Sequence, residues 1–266
     1  MSERTFVLVS GAWHGGWVWR DFAARLRAQG HVVTTPTLTG LGERRHLMAG
    51  SADLSTHIED VVAHIEMEGL EEVDLLGWSY GGMVISGVQA RIPGKIRSLI
   101  YYDAFVPEDG KAMVDCMEAA NRAHYEAGRD ADRLLEPIPM AAFGVTDPAV
   151  LDFVTPRIGG QPWRTFFEPV RVSPDIASVP QTYILCTEWS IPSPMTRFVP
   201  VMEARGARIV TIAGSHLSML TEPEETLEAI LATPRLRAVL LLMQKRRPSC
   251  EGRHFPDPPE RDIVRA

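Results

Sequence analysis

Six short runs along the chain are apolar and β-prone, at 5–9, 31–36, 73–76, 96–103, 181–186 and 207–212. Their length and their Val, Ile, Leu and Tyr content predict buried strands. Between them the apolar period lengthens to that of a helix. Residues 19–29 place Phe22, Leu26 and the alanines on one face, with Gly30 as the stop. Ser55 is positioned to cap a helix whose Ile58, Val61, Val62 and Ile65 fall at i, i+3, i+4 and i+7. Further helices are expected over 83–90, 195–205 and 222–232. Strands alternating with helices predict a mostly parallel, doubly wound α/β sheet joined by right-handed crossovers.

From 108 to 178 this rhythm is lost. Helical stretches such as 112–127 are interrupted by Pro137, Pro139, Pro148, Pro156, Pro162 and Pro169, and Met and aromatic residues are scattered among them. An inserted helical cap with an apolar inner face fits this pattern. So does a helical subdomain with a small core of its own, which would use most of the same residues. The expected organisation is therefore a core of 1–107 and 179–245, a cap or lid at 108–178, and a tail at 246–266. That tail, rich in Pro and Arg with little apolar periodicity, is expected to be loosely ordered.

Composition narrows the class without defining it. A chain of 266 residues that is 45% hydrophobic and 23% charged has the make-up of an ordinary globular domain. A net charge of −7 argues against a nucleic-acid partner. Cys116, Cys186 and Cys250 are too few and too scattered for a disulfide framework or a metal site. No secretory signal pattern opens the sequence, and the longest apolar run, 238–243, is too short to span a bilayer. The expectations are a cytoplasmic protein with a small-molecule partner, no membrane, no metal and no cofactor, and with homodimerisation left open.

The chemistry concentrates at Gly77-Trp78-Ser79-Tyr80-Gly81-Gly82. A serine between two glycines, after a strand and before a helix, forms the G-x-S-x-G nucleophile elbow. A serine hydroxyl is a weak nucleophile and needs a base within reach. His216, in a loop just after the last strand and far downstream of Ser79, is the best-placed histidine. The acid that would orient it has two candidates. Asp103 ends the strand that follows the elbow, and Glu188 lies in the turn after 181–186. Asp103 is favoured, although it could instead cap the loop that follows it. An oxyanion formed in acyl transfer would need backbone N–H donors, which Tyr80 and Ala12 are positioned to supply.

The stretch 6–17, FVLVSGAWHGGW, together with 77–82, GWSYGG, resembles the α/β-hydrolase fold in the branch of bacterial esterases, plant methylesterases and hydroxynitrile lyases. The resemblance covers 5–107 closely and the part after 180 more loosely. It implies a cofactor-free serine hydrolase of small esters, with Ser79 as nucleophile, His216 as base, and Ala12 and Tyr80 as oxyanion donors. The chain departs from the family pattern in three places. Ser10 precedes Gly11 where the family has His, Trp78 precedes the nucleophile where His is common, and no aspartate follows 181–186. Some bacterial members share a Cys-Thr…Ser-Pro stretch like Cys186-Thr187…Ser193-Pro194, which supports Asp103. Ser10, Trp13, Trp78, Phe105, Trp163 and Leu217 are the residues expected to line the substrate site. Family lyases carry Thr in the oxyanion loop and Lys after the catalytic His; Gly11 and Leu217 here disfavour lyase chemistry. The remaining alternative is a non-catalytic small-molecule binder on the same fold.

Overall fold

The computed structural model describes residues 3–47 and 51–232. The expected tail at 246–266, and the end of the expected core at 233–245, lie outside the described residues. In chain order the regular elements are β1 (Thr5–Val9), α1 (Arg20–Ala28), β2 (Val32–Thr34), α2 (Leu54–Met67), β3 (Val73–Trp78), α3 (Gly81–Arg91) and β4 (Ile96–Tyr102). There follow α4 (Ala119–Asp130), α5 (Pro148–Val154), α6 (Arg164–Phe167), β5 (Gln181–Cys186), α7 (Val199–Ala204), β6 (Arg208–Ile212), α8 (Ser218–Thr221) and α9 (Pro223–Leu231).

The strands form one parallel sheet in the order β2-β1-β3-β4-β5-β6. Winding starts at β1 and proceeds in both directions, so the strand order reverses between β1 and β3. In an open α/β sheet that crevice, at the carboxyl ends of the strands, is where ligands bind. Register makes the rim explicit: Val9 lies opposite Gly77, Trp78 opposite Tyr102, Tyr102 opposite Ile184 and Cys186 opposite Ile212. The residues that leave these strands are Ser10, Ser79, Asp103 and, after a short turn, His216. The topology alone therefore gathers them on one edge.

The core is continuous across both faces of the sheet. Trp19 is fully buried and packs its ring on Phe22, Trp78 and Tyr102, which ties the loop after β1 to the elbow strand. Burial of such side chains stabilises by about 1.5–3 kcal/mol each. At the opposite rim, buried Asp74 accepts from Arg4 Nε at 2.5 Å, Ser98 Oγ at 2.6 Å and Arg97 Nε at 2.9 Å.

Three expectations change in detail. Asp53, not Ser55, caps α2: its carboxylate accepts from the Thr56 amide at 2.8 Å in a capping box. Ser55 instead gives its amide and its hydroxyl to Glu168, at 2.7 and 2.5 Å, which anchors the 108–178 segment to α2. The helix expected over 112–127 is a 3₁₀ turn at Met113–Cys116 followed by α4, because Met117 and Glu118 are extended. Likewise 195–205 divides into a 3₁₀ turn, Pro194–Phe198, and α7; each opens with a proline in its first two positions, which has no N–H to give.

Candidate active site

The turn from β3 to α3 is as cramped as its glycines imply. A Cβ on Gly77 would stand 2.4 Å from the Gly81 carbonyl oxygen, and one on Gly82 would stand 2.1 Å from that of Phe105. Ser79 itself holds φ 55°, a left-handed conformation that costs a non-glycine residue about 1–3 kcal/mol. Its peptide groups are tied on both sides. The Ser79 amide donates to Tyr102 O at 3.2 Å, and its carbonyl accepts from Gly82 and Phe105 amides, each at 3.1 Å. The strain is thus maintained by β4 and the loop after it, and it sets the hydroxyl at the entrance to α3 with 8% of the residue exposed.

One strand over, Asp103 also has a positive φ, 42°, and is completely buried. Its amide donates to Ile184 O at 2.7 Å. Its carboxylate has three partners: His216 Nδ1 at 2.6 Å, Trp189 Nε1 at 2.9 Å and the Cys186 amide at 3.1 Å. With Nδ1–H given to the carboxylate, Nε2 keeps its lone pair, the tautomer a general base requires. The His216 backbone is fixed as well, donating to Phe143 O at 3.0 Å and accepting from Trp78 Nε1 at 2.9 Å. Three rings surround the imidazole, with centroids at 4.4 Å (Trp189), 5.0 Å (Phe143) and 5.1 Å (Trp78). Asp103 and His216 therefore meet in a dry, aromatic setting, where a charge-assisted hydrogen bond is strong.

The loop after β1 completes the cluster. A Cβ on Gly11 would stand 2.9 Å from Ser79 Cβ, so glycine lets this loop lie directly against the serine. Among the described residues, neither the Ala12 nor the Tyr80 amide N–H is taken up by a hydrogen bond, although both residues are buried. His14 gives Nδ1–H to Ala12 O at 2.6 Å and sets its ring edge against Trp78 at 4.9 Å. Burial pushes the His14 pKa down to about 4, the Ala12 carbonyl opposes that shift, and the nearby His216 lowers it further. His14 is accordingly neutral at pH 7.

Of the residues expected to line the site, Trp78 lies between His14 and His216, Leu217 is wholly buried beside His216, and Phe105 packs on Phe198 while its amide holds Ser79. Ser10 turns its hydroxyl back to His14 O at 3.1 Å. Trp13 is committed to the 108–178 segment: its indole N–H donates to Leu135 O at 2.9 Å and its ring meets Phe166. Trp163 is not brought to this cluster. Its indole N–H goes to Asp132 at 2.8 Å and its ring packs on Phe167, all within 108–178. Glu188 is exposed, held through its amide to Gly214 O at 2.9 Å, whereas Asp103 contacts the imidazole. His14, Phe143 and Trp189 are further members that the sequence reading did not single out. Only the departure from a late aspartate hinted at Trp189, which stands in that turn and donates to Asp103. Among the described residues no cluster of three or more His, Cys, Asp or Glu could hold a metal ion, and no helix is long and apolar enough to cross a membrane.

Comparison with known proteins agrees with this fold. The sequence matches the family described as the alpha/beta hydrolase family over residues 6–229. It is 42% identical over 239 residues to a carbendazim hydrolyzing esterase of Nocardioides sp. (strain SG-4G), covering 85% of this chain and 98% of that one. It is 29% identical to salicylic acid-binding protein 2 of Nicotiana tabacum, covering 85% and 95%. Among solved structures, an extracellular alpha/beta-hydrolase from a Paenibacillus species superposes with a TM-score of 0.75 at 26% identity, covering 87% of this chain and 99% of the other.

Proposed function

The chain belongs to the alpha/beta hydrolase family, and from that premise we propose that it is a cofactor-free serine esterase that cleaves small hydrophobic esters or carbamates through an acyl-Ser79 intermediate. The observation that carries this reading is the Asp103–His216 hydrogen bond, formed on the same rim as a serine held in strained backbone geometry. Ser79 Oγ adds to the substrate carbonyl carbon as its proton passes to His216 Nε2. The resulting imidazolium is stabilised by Asp103, and the oxyanion accepts from the Ala12 and Tyr80 amides. Collapse breaks the bond to the leaving alcohol, which takes the proton from Nε2. Water, deprotonated by the same imidazole, then releases the acid and restores Ser79.

The relative that hydrolyses carbendazim, a methyl carbamate, supports extending the substrate class from simple esters to carbamates. The 108–178 segment acts as a cap over the site. Support comes from Phe143, which packs on His216 and Trp189, and from Phe166, which packs on Tyr80 and Trp13. This apolar underside favours hydrophobic acyl or aromatic groups. A reducing, cytoplasmic setting is part of the same proposal, on the low and scattered cysteine count of the sequence. Turnover of p-nitrophenyl acetate by wild type and by Ser79→Ala tests the reading. Wild-type hydrolysis with a burst that the variant lacks is expected; equal, negligible turnover by both would favour a non-catalytic binding protein.

A further inference from the structure

Two amides that serve the proposed oxyanion hole come from separate parts of the chain, and a buried polar cluster of the cap holds the first of them. Trp13 follows Ala12 directly and, at φ 67°, is strained for a residue with a side chain. Three hydrogen bonds to the 108–178 segment hold it there. Its amide donates to Gln161 Oε1 at 2.9 Å, its indole to Leu135 O at 2.9 Å, and its carbonyl accepts from Gly159 N at 3.3 Å. Leu135 and Gln161 are themselves paired as an isolated antiparallel bridge, so the acceptors form one unit.

Gln161 is fully buried and uses both ends of its amide. Its Nε2 donates to Thr165 Oγ1 at 2.7 Å, and the Thr165 hydroxyl in turn donates to Pro162 O at 2.6 Å, so the Gln161 amide is oriented with Oε1 toward Trp13. Tyr80 is held separately, by the core: its phenol meets His57 Nδ1 at 2.9 Å, while His57 Nε2 meets the Thr39 carbonyl at 2.8 Å. A carbonyl can only accept, so Nε2 carries the imidazole proton and Tyr80 donates to Nδ1. The chain of partners thus runs Trp13, Gln161, Thr165, Pro162. Its first member lies on the core, and the rest belongs to the cap.

We propose that Gln161, oriented by Thr165, is a positioning residue through which the seated cap sets the oxyanion donor Ala12 at its working distance from Tyr80. With the cap seated, Trp13 is held in its strained turn. With the cap displaced, Trp13 loses all three restraints and relaxes, carrying Ala12 away. Full transition-state stabilisation then exists only when substrate is covered, which couples cap closure to chemistry rather than to binding alone. This inference rests on the assignment of Ala12 and Tyr80 as oxyanion donors.

The test compares Gln161→Met and Thr165→Val with Thr165→Ser, which keeps the hydroxyl. The readouts are kcat and KM on p-nitrophenyl acetate, inhibition by an aryl trifluoromethyl ketone that forms a tetrahedral adduct, and the thermal midpoint. Complete loss of one oxyanion donor costs ~10²–10³ in rate, so misplacement of Ala12 should lower kcat by roughly tenfold with KM little changed. Ketone affinity should weaken in parallel, and Thr165→Ser should stay near wild type. A changed KM or thermal midpoint with kcat and ketone affinity intact would reduce Gln161 to ordinary cap packing and overturn the inference, while leaving Ser79 chemistry standing. If Gln161→Met does not fold, Thr165→Val decides by the same criteria. Wild-type turnover that survives Ser79→Ala would instead remove the reading on which the inference rests.

Discussion

Asp74 and Asp103 are both buried aspartates on neighbouring central strands, yet they sit at opposite rims of the sheet and do different work. Asp74, at the start of β3, is surrounded by two guanidinium groups and a hydroxyl. Arginine cannot release its proton in a protein, so this arrangement is fixed at any physiological pH. Asp103, just past β4, faces an imidazole, an indole and a peptide amide. Imidazole can take a proton on Nε2 and give it back within one turnover, so the same carboxylate becomes part of something that can cycle. A buried charge is structural or functional according to whether its partner can exchange a proton.

The largest expected separation comes from neutralising each carboxylate. Asp103→Asn should lower kcat on p-nitrophenyl acetate by ~10⁴ while the protein stays folded, because the imidazole loses its orienting acceptor. Asp74→Asn should do the reverse: activity per folded molecule unchanged, and stability lowered by about 3–5 kcal/mol in urea melts, since the buried Arg4 and the partly buried Arg97 lose their counter-charge. A rate loss for Asp74→Asn as large as that for Asp103→Asn would erase the distinction.

Acid should expose a second contrast, between histidines that are neutral by burial and histidines that are exposed. His14 and His57 have pKa values pushed from 6.5 down to about 4, in both cases chiefly by burial. Between pH 6.5 and 4 the unfolded chain therefore binds protons that the folded protein refuses. Stability should fall as pH drops through that window, by about 3 kcal/mol for each group. Urea midpoints at pH 7 and pH 4.5 measure it, and replacing His57 with Gln should flatten the slope; a midpoint independent of pH would contradict the account. The smallest effect is expected for Glu188→Gln, about twofold or less in rate, because the side chain is exposed and Asp103 holds the imidazole.

What could be read from the sequence, and what could not, divides by the range of the interactions. The elbow is legible within six residues, because Gly77 would collide with Gly81 inside the same turn, while Gly81 and Gly82 leave room for Val9 and Phe105 of the neighbouring segments. The same holds for β5, whose bounds were fully legible in 181–186. Asp103 was legible by position, as the residue that ends the strand beside the nucleophile. The cap of α2 was misplaced because Ser55 and Asp53 are both good caps, and a carboxylate 113 residues away claims the serine. Trp13 and Trp163 looked alike as aromatics suited to a pocket. Their true partners, Leu135 and Gln161 for one and Asp132 for the other, depend on how the 108–178 segment docks, and no local pattern records that.

The central claim is that Ser79 becomes covalently acylated. Quenching the enzyme during p-nitrophenyl acetate turnover and analysing its peptides by mass spectrometry tests this directly. The account predicts one acetyl group on the peptide that carries Ser79, accumulating in Asp103→Asn if deacylation slows more than acylation, and absent in Ser79→Ala. Steady turnover with that peptide unmodified, and undiminished in Ser79→Ala, would contradict it.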